Sequence, residues 1–513
     1  MSAAAALEAW CRLLGEDAVL GPDAALAAYG GDTGGARRHL AAALRVRHRD
    51  QVAELMRIAH RHRLAVHPLS TGRNWGYGSA LPRESGSVIL DLSALRQILH
   101  FDAELGVVTV EPGVTQGMLA EFLQAGGHPF MVPTTGAGPT CSLVGNALER
   151  GYGITPYADH FAAVTDLEAV LHDGRVYRSA LGELGLDELA RLFKWGIGPY
   201  TAGLFSQSRL GVVTRMSILL ARRPQAVQVG LFGLREDALL EPAVTRLREV
   251  LASLPGIVGG CNLMNRLRVL AMTAPYPAAR IGADGLIPPD VLAQLGRQYR
   301  IHAWTGFMTL YGTPAVLKAA RRQIRASLGG LAGGLVFIGR DRAQWLGRVA
   351  ARLPGQAARR LAATLGTLRR SLDLVEGRPN ETALALAYWR SGRYPTDRPA
   401  DPAADGCGLL WYAPLVPMRP ATARAFVDMA QATARRHGIE PLLTLTSLSE
   451  RLFDATLPIL FDRHDPAALA AAQACLAELI ERGHALGVYP YRQGIEQARP
   501  DPGITLGFPE TMA

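Results

Sequence analysis

Three glycine-dense stretches crowd the first half of the chain and constrain its fold more than any other feature. The first, "HPLSTGRNWGYGSALP" over 67–82, places Gly72, Gly76 and Gly78 between an apolar run and a proline. The others are "VPTTGAGPTCSLVGNALERGYGITPYADHF" over 132–161 and "FKWGIGPYTAGLFSQSRLGVV" over 193–213. Glycine adopts positive φ at little cost and has no Cβ to hold a neighbour away, so such stretches mark backbone that bends sharply or approaches something closely. Two readings fit the first stretch equally: a wide turn between strands, or a concave nest of N–H groups that binds a pyrophosphate. Ser70, Thr71 and Asn74 add side-chain donors to the second reading.

The common phosphate motifs are absent. No G-x-x-x-x-G-K-[ST] occurs, and "GAGPTC" and "GYGITP" break the G-x-G-x-x-G pattern at its last glycine. Three glycine-dense stretches instead imply a backbone lining an extended ligand, more wall than a mononucleotide needs and enough for FAD.

At 513 residues the chain exceeds one ordinary core, so two domains are expected. Hydrophobic residues at 49% and charged residues at 19% suit a globular enzyme and exclude broad disorder. The net charge of +9 is carried by arginine, with Lys194 and Lys318 the only lysines. No basic run interleaves with aromatics, so nucleic-acid binding is not expected. Cys11, Cys141, Cys261, Cys407 and Cys475 are odd in number and far apart, giving neither a disulfide framework nor a zinc site; no metal is expected. The N-terminal "MSAAAALEAWCRLLGED" reads as an amphipathic helix and not a signal peptide. No apolar run reaches roughly eighteen residues, so the expectation is a cytoplasmic protein without a membrane span.

The first segment alternates strands and helices. "LRVRH" and "AVHPL" read as strands around the helix "QVAELMRIAHRHR", followed by "SVILDL", "GVVTVEP" and the helix "QGMLAEFLQAGG". "DLEAVLHDGRVYRSA" reads as a hairpin turning at Asp173-Gly174, and "RLGVVTRMSILLARRP" as a long strand. After about residue 225, strand and helix units recur without a fixed period: "QVGLFGL", "HAWTGFMTLYG", "GLLWYAPLVPM" and "PLLTLTSL" each precede a helix. A single helical segment over roughly 344–373 decorates this second α+β domain.

Five segments, "PLSTGRNWGYGSALPRESGSVILDLS", "GVVTVEPGVT", "GNALERGYGITPYADHF", "GIGPYTAGLFSQSRLGVVTRM" and the late "YRQG", together closely resemble the vanillyl-alcohol oxidase / p-cresol methylhydroxylase (PCMH) family of FAD enzymes. Their order and spacing hold over roughly residues 5 to 495. The resemblance implies an α+β fold with a PCMH-type FAD-binding domain over 1–225, rejoined by 488–513, and an α+β cap (substrate) domain over 226–487. It implies that the first loop, with Ser70, Thr71, Gly72, Arg73, Asn74, Trp75 and Gly76, wraps the FAD pyrophosphate. It places Gly138, Pro139, Ser142, Gly145, Asn146, Gly151 and Tyr152 along the cofactor, and Gly211 with Val213 near its adenine end.

The family oxidises para-substituted phenols: the phenol binds as phenolate, a benzylic hydride leaves for the flavin, and a p-quinone methide forms. By motif match the phenolate stabilisers are Tyr77, Tyr491 and Arg492, and Asp159 of "YADHF" is the polar group beside the flavin, as orienter or base. Taken alone, Tyr77 could pack on its turn, Arg492 could pair with a surface carboxylate, and Asp159 could cap the next helix. Trp411 and Tyr412 read as core. The resemblance further implies a small aromatic substrate, a homodimer and, for a dehydrogenase, an electron-acceptor protein such as a c-type cytochrome.

Two departures stand out. Aligned on Pro414, the position from which relatives bond FAD covalently falls on Leu409, which has no nucleophilic atom, so FAD is expected to be non-covalent; Tyr412 and Cys407 are the register-shifted alternatives. Relatives also continue for several dozen residues past the Tyr-Arg pair, whereas "RPDPGITLGFPETMA" follows it closely here. These departures keep two other functions open, a flavin-dependent tailoring enzyme of secondary metabolism acting on a non-phenolic substrate, and a catalytically degenerate flavin-binding partner.

Overall fold

The structure, a computed structural model, describes residues 3–497. Three sheets organise it. A four-stranded sheet pairs Leu40–Arg45 and Val66–Leu69 in parallel on either side of Ser87–Asp91, with Val19–Leu20 antiparallel at the edge. Val66–Leu69 runs straight into the glycine-rich loop, so the parallel sheet aims that loop from its carboxyl end. A five-stranded antiparallel sheet contains Ile98–Asp102, Val107–Val110, Gly211–Leu219, Val164–Leu171 and Val176–Tyr177 in that spatial order. Its apolar face packs on the helices Gln116–Ala125 and Leu143–Leu148 through Leu119, Leu123, Val144 and Ala147. The Gly174 turn of the expected hairpin has φ 82°, the left-handed conformation that favours glycine.

The third sheet has nine antiparallel strands, all within 226–490. Alternation along its strands divides it cleanly. Leu263, Leu445, Phe453, Ala455 and Leu457 face an apolar core built with the helices Leu240–Ser253, Pro314–Leu328, Pro420–Arg436 and Pro466–Ala485. The alternate residues Asn262, Met264, Thr444, Thr446, Asp454 and Thr456 stand opposite one another on the other, inner face. Where the adjacent antiparallel strands Trp304–Gly312 and Ala226–Leu234 set Gly306 opposite Phe232, a Cβ added at Gly306 falls 2.1 Å from the Phe232 ring, so the chain needs glycine there.

Several expectations shift. The segment over 344–373 is two helices, Arg340–Arg352 and Gln356–Val375, because Pro354-Gly355 cannot continue the first. The strand expected at "LRVRH" lies earlier, at Leu40–Arg45, where the alanines 41–43 pack under the helix Val52–His62 and its neighbours. Strands Val258–Asn265, Gly333–Ile338 and Leu452–Asp462 are additions. Tyr489–Pro490 still pairs with Pro414–Leu415 in the third sheet, and the chain rejoins the glycine-rich loop at Tyr491. The expected return of 498–513 lies outside the described residues. No helix among them is long and apolar enough to cross a membrane.

Overpacking between these strands gives a test: Gly306→Ala should lower unfolding stability by about 1–3 kcal/mol in urea titration, since the Phe232 ring must leave its rotamer.

Candidate active site

The loop after Val66–Leu69 is held open by its glycines. Gly72, Gly76 and Gly78 have φ of 68°, 82° and 121°. Among the described residues, the backbone N–H groups of Gly72, Arg73, Asn74 and Trp75 have no hydrogen-bond partner. Such a run of free donors on a glycine-rich turn is the concave anion cradle that a pyrophosphate needs, so the residues present fit FAD. Thr71 and Ser142 join this loop to the second stretch: Thr71 Oγ1 accepts from the Ser142 N–H at 3.2 Å, and Ser142 Oγ accepts from Gly145 N at 3.0 Å. Gly145 allows Ser70 to approach, since a Cβ there would sit 2.3 Å from Ser70 Oγ. Gly151 is required in the same way, its added Cβ falling 1.9 Å from Asn146 Oδ1. Gly138, with φ 83°, precedes Pro139, whose carbonyl accepts from Gly117 N.

Three of the expected cofactor residues have side chains engaged elsewhere. The Arg73 guanidinium pairs with Asp401 of the third-sheet lobe, and Trp75 is buried in an apolar cluster with Leu409 and Leu384. Val213 turns its side chain into the core; along Gly211–Leu219, Val107–Val110 reaches only Met216–Leu219, so among the described residues Gly211–Val213 has no strand on that side.

Tyr77, Tyr491 and Arg492 converge although Tyr491 and Arg492 come from the far end of the chain. Ile495 N donates to Tyr77 O at 3.1 Å, drawing the late segment onto the loop. The Arg492 guanidinium lies 4.4 Å from the Tyr77 ring centroid, a cation–π contact, and its Nη2 donates to Asn74 Oδ1. Burial pushes the Tyr77 and Tyr491 hydroxyls up, with the Arg492 charge opposing, so both stay protonated donors. Asp159 joins indirectly. It bridges to Tyr152, whose ring meets Tyr491 edge-on at 5.4 Å, and burial, together with Asp159, pushes the Tyr152 hydroxyl up to about 12. Asp159 Oδ1 also accepts from Ala162 N at 2.9 Å, but this closes a turn that leads into the strand Val164–Leu171, so the helix it was expected to cap is not there.

Two acids were not singled out from the sequence. Glu149 Oε2 lies 3.7 Å from Arg492 Nε. Asp454, on the inner face of the third sheet, is fully enclosed; burial pushes its carboxyl up to about 7 against the lowering charge of Arg492. The one sequence signal for Asp454 is an acid within the otherwise apolar run "LFDATLPILF". The inner face also meets the loop directly. A Cβ on Gly76 would fall 2.3 Å from Trp411 Cδ1, with Leu409 beside it, whereas Tyr412 points into the opposite core. A small cleft is lined by Gly153, Ile154, Asn262, Phe307 and Thr446.

A nucleotide cradle of backbone donors beside two tyrosines and an arginine is the arrangement of a flavoprotein oxidoreductase. Residues 40–180 match the model of the FAD binding domain. The chain is 32% identical over 462 residues to the 1'-carboxy-chondrochloren decarboxylase of Chondromyces crocatus, covering 89% of this chain and 84% of that one. It is 27% identical over 450 residues to the 4-cresol dehydrogenase [hydroxylating] flavoprotein subunit of Pseudomonas putida, covering 86% and 78%. The solved p-cresol methylhydroxylase with substrate bound superposes with a TM-score of 0.83 at 26% identity, over 96% of this chain and 89% of that one. The 4-ethylphenol oxidase from Gulosibacter chungangensis shares the fold with a TM-score of 0.82 at 24% identity, over 96% and 89%. The chain belongs to the p-cresol methylhydroxylase / vanillyl-alcohol oxidase family of FAD-dependent oxidoreductases.

Asp454 supplies a pH test. Its raised pKa contributes stability that is fully present below the ordinary carboxylate range and is lost as pH rises through about 7. Relative to the parent, Asp454→Asn should therefore gain up to about 1.4 kcal/mol for each pH unit crossed in that window. Chemical denaturation from pH 5 to 8 checks it, and parallel curves for the two proteins would contradict it.

Proposed function

We propose that the chain oxidises a 4-substituted phenol at its benzylic carbon. The carrying observation is the convergence of Tyr77, Tyr491 and Arg492 beside the FAD-binding loop. Bound on that loop, FAD supplies a two-electron hydride acceptor. Tyr77 and Tyr491, kept protonated by burial, donate to the phenolate oxygen, and the Arg492 charge balances it. A phenolate pushes electron density towards its para position and so eases departure of a hydride from the benzylic carbon, leaving the substrate as a p-quinone methide. Asp159, through Tyr152, orients the neighbouring aromatic wall.

The quinone methide is an electron sink with two exits. Water can add at the benzylic carbon. Alternatively, when the next carbon bears a carboxylate, the C–CO₂ bond breaks, its electron pair becomes the new C=C bond, and the ring returns to phenolate as CO₂ leaves. The relative named as a decarboxylase of a 1'-carboxy compound supports the second exit.

We also propose that FAD is held without a covalent bond. Leu409 stands at the loop with no nucleophilic atom; burial raises the Cys407 thiol to about 12, and Tyr412 lies on the opposite face of its strand. Acid precipitation of the purified protein should release the yellow colour to the supernatant; colour retained in the pellet would overturn this. For the reaction, anaerobic 4-ethylphenol should bleach the flavin of the parent. Arg492→Met should slow that reduction by about a hundredfold or more, with the FAD content unchanged. A parent flavin that no 4-alkylphenol reduces sinks the reading.

A further inference from the structure

One charged group on the inner face of the third sheet is left unused by this reaction. Arg268 lies in the first turn of the helix Arg266–Thr273, its N–H capped by Asn265 Oδ1 at 2.9 Å. Its Nε donates to Thr444 Oγ1 at 3.3 Å, while Nη1 is shut off from solvent and has no partner among the described residues. Burial alone pushes the guanidinium down to about 10, and no acid opposes it. Arg492, Arg73 and Arg215 each have an acid within reach, Glu149, Asp401 and Glu168, whereas Arg268 and its neighbour Arg266 have none among the described residues. A guanidinium N–H shut off from water without an acceptor is costly to keep, which points to an anion that arrives with a ligand.

Thr444 locates that anion. It faces Thr456 across the strand pair, and the next inner residue, Thr446, faces Asp454 beside Arg492. Two residues along and one strand across put Thr444 about 8 Å from Asp454 at ordinary sheet spacings. The interval between the phenolate group and Arg268 thus suits a hydroxyphenyl ring carrying a short side chain.

We propose that Arg268 binds a carboxylate on the substrate's side chain, so that the substrates are 4-hydroxyphenyl compounds bearing a side-chain acid. This rests on the phenol reading of the same site. The planar guanidinium can meet a carboxylate with two parallel N–H donors.

The test compares the FAD-loaded parent with Arg268→Met and Arg268→Lys. Half-saturation of anaerobic flavin reduction is read for 3-(4-hydroxyphenyl)propanoate and 4-propylphenol, and binding of the unreactive 3-phenylpropanoate is read from the flavin spectrum. The parent should favour the phenolic acid over 4-propylphenol by about tenfold or more, and Arg268→Met should abolish that preference. Arg268→Lys should retain part of it, 4-propylphenol should be unaffected by either change, and the melting temperature of Arg268→Met should not fall. Equal saturation by both phenols in the parent, or an equal shift of both in Arg268→Met, overturns the proposal while leaving phenol oxidation intact. If neither phenol reduces the flavin, phenol oxidation fails and 3-phenylpropanoate decides alone. Binding lost in Arg268→Met then upholds the carboxylate site, and binding unchanged or absent in the parent overturns it. Should Arg268→Met not hold FAD, Arg268→Gln is read by the same criteria.

Discussion

Everything at the site depends on how closely the loop over 71–79 approaches the inner face of the third sheet. Gly76 N donates to Thr33 Oγ1 at 2.8 Å, Leu409 N to Thr33 O at 3.0 Å, and Trp411 N to Gly76 O at 3.4 Å. Thr33 is therefore a hinge pin between two lobes whose sequences are far apart. A side chain on Gly76 would collide with Trp411, and one on Gly78 would reach Ile495 at 2.6 Å, so glycine at both positions lets the cap and the late segment close together. The same glycines leave their neighbouring amides free, which couples closure of the cleft to the cofactor cradle.

That coupling explains which parts were legible in the sequence. The glycine loop announces itself because its constraint is local: positive φ and missing Cβ atoms are written in residue type. The helices Val52–His62 and Pro314–Leu328 are likewise plain in their apolar spacing and caps. The inner face is not. Val258–Asn265 begins with Gly259-Gly260, which reads as a turn, yet Gly259 is there because Tyr311 leaves no room, its added Cβ falling 2.6 Å from that ring. Leu452–Asp462 contains Pro458, which demotes a strand on sequence grounds, but that residue pairs with Trp411 at the strand's junction with Cys407–Tyr412. These two strands carry Asn262, Met264 and Asp454, so the half of the site built from distant pairing was hidden. The Arg492 contact with Asn74 spans 418 positions, and only the resemblance, not spacing or periodicity, brought those residues together beforehand.

The charges around Arg492 make the site selective in a way that the residue types alone do not. Glu149 lies 3.7 Å from Arg492 Nε and Asp454 interacts with the same charge, so the protonation of Asp454 sets the balance there. Below about pH 7 burial keeps Asp454 neutral, which leaves more of the Arg492 charge for an incoming anion. Tyr77 and Tyr491, pushed up by the same burial, do not compete for it, because neither ionises under those conditions. On the phenol reading proposed above, a bound phenol would face two hydroxyl donors and a cation, groups that favour its ionised form over its neutral one. On that reading burial performs two tasks with one chemical group: it holds the protein's phenols neutral and so leaves the charge to the substrate's.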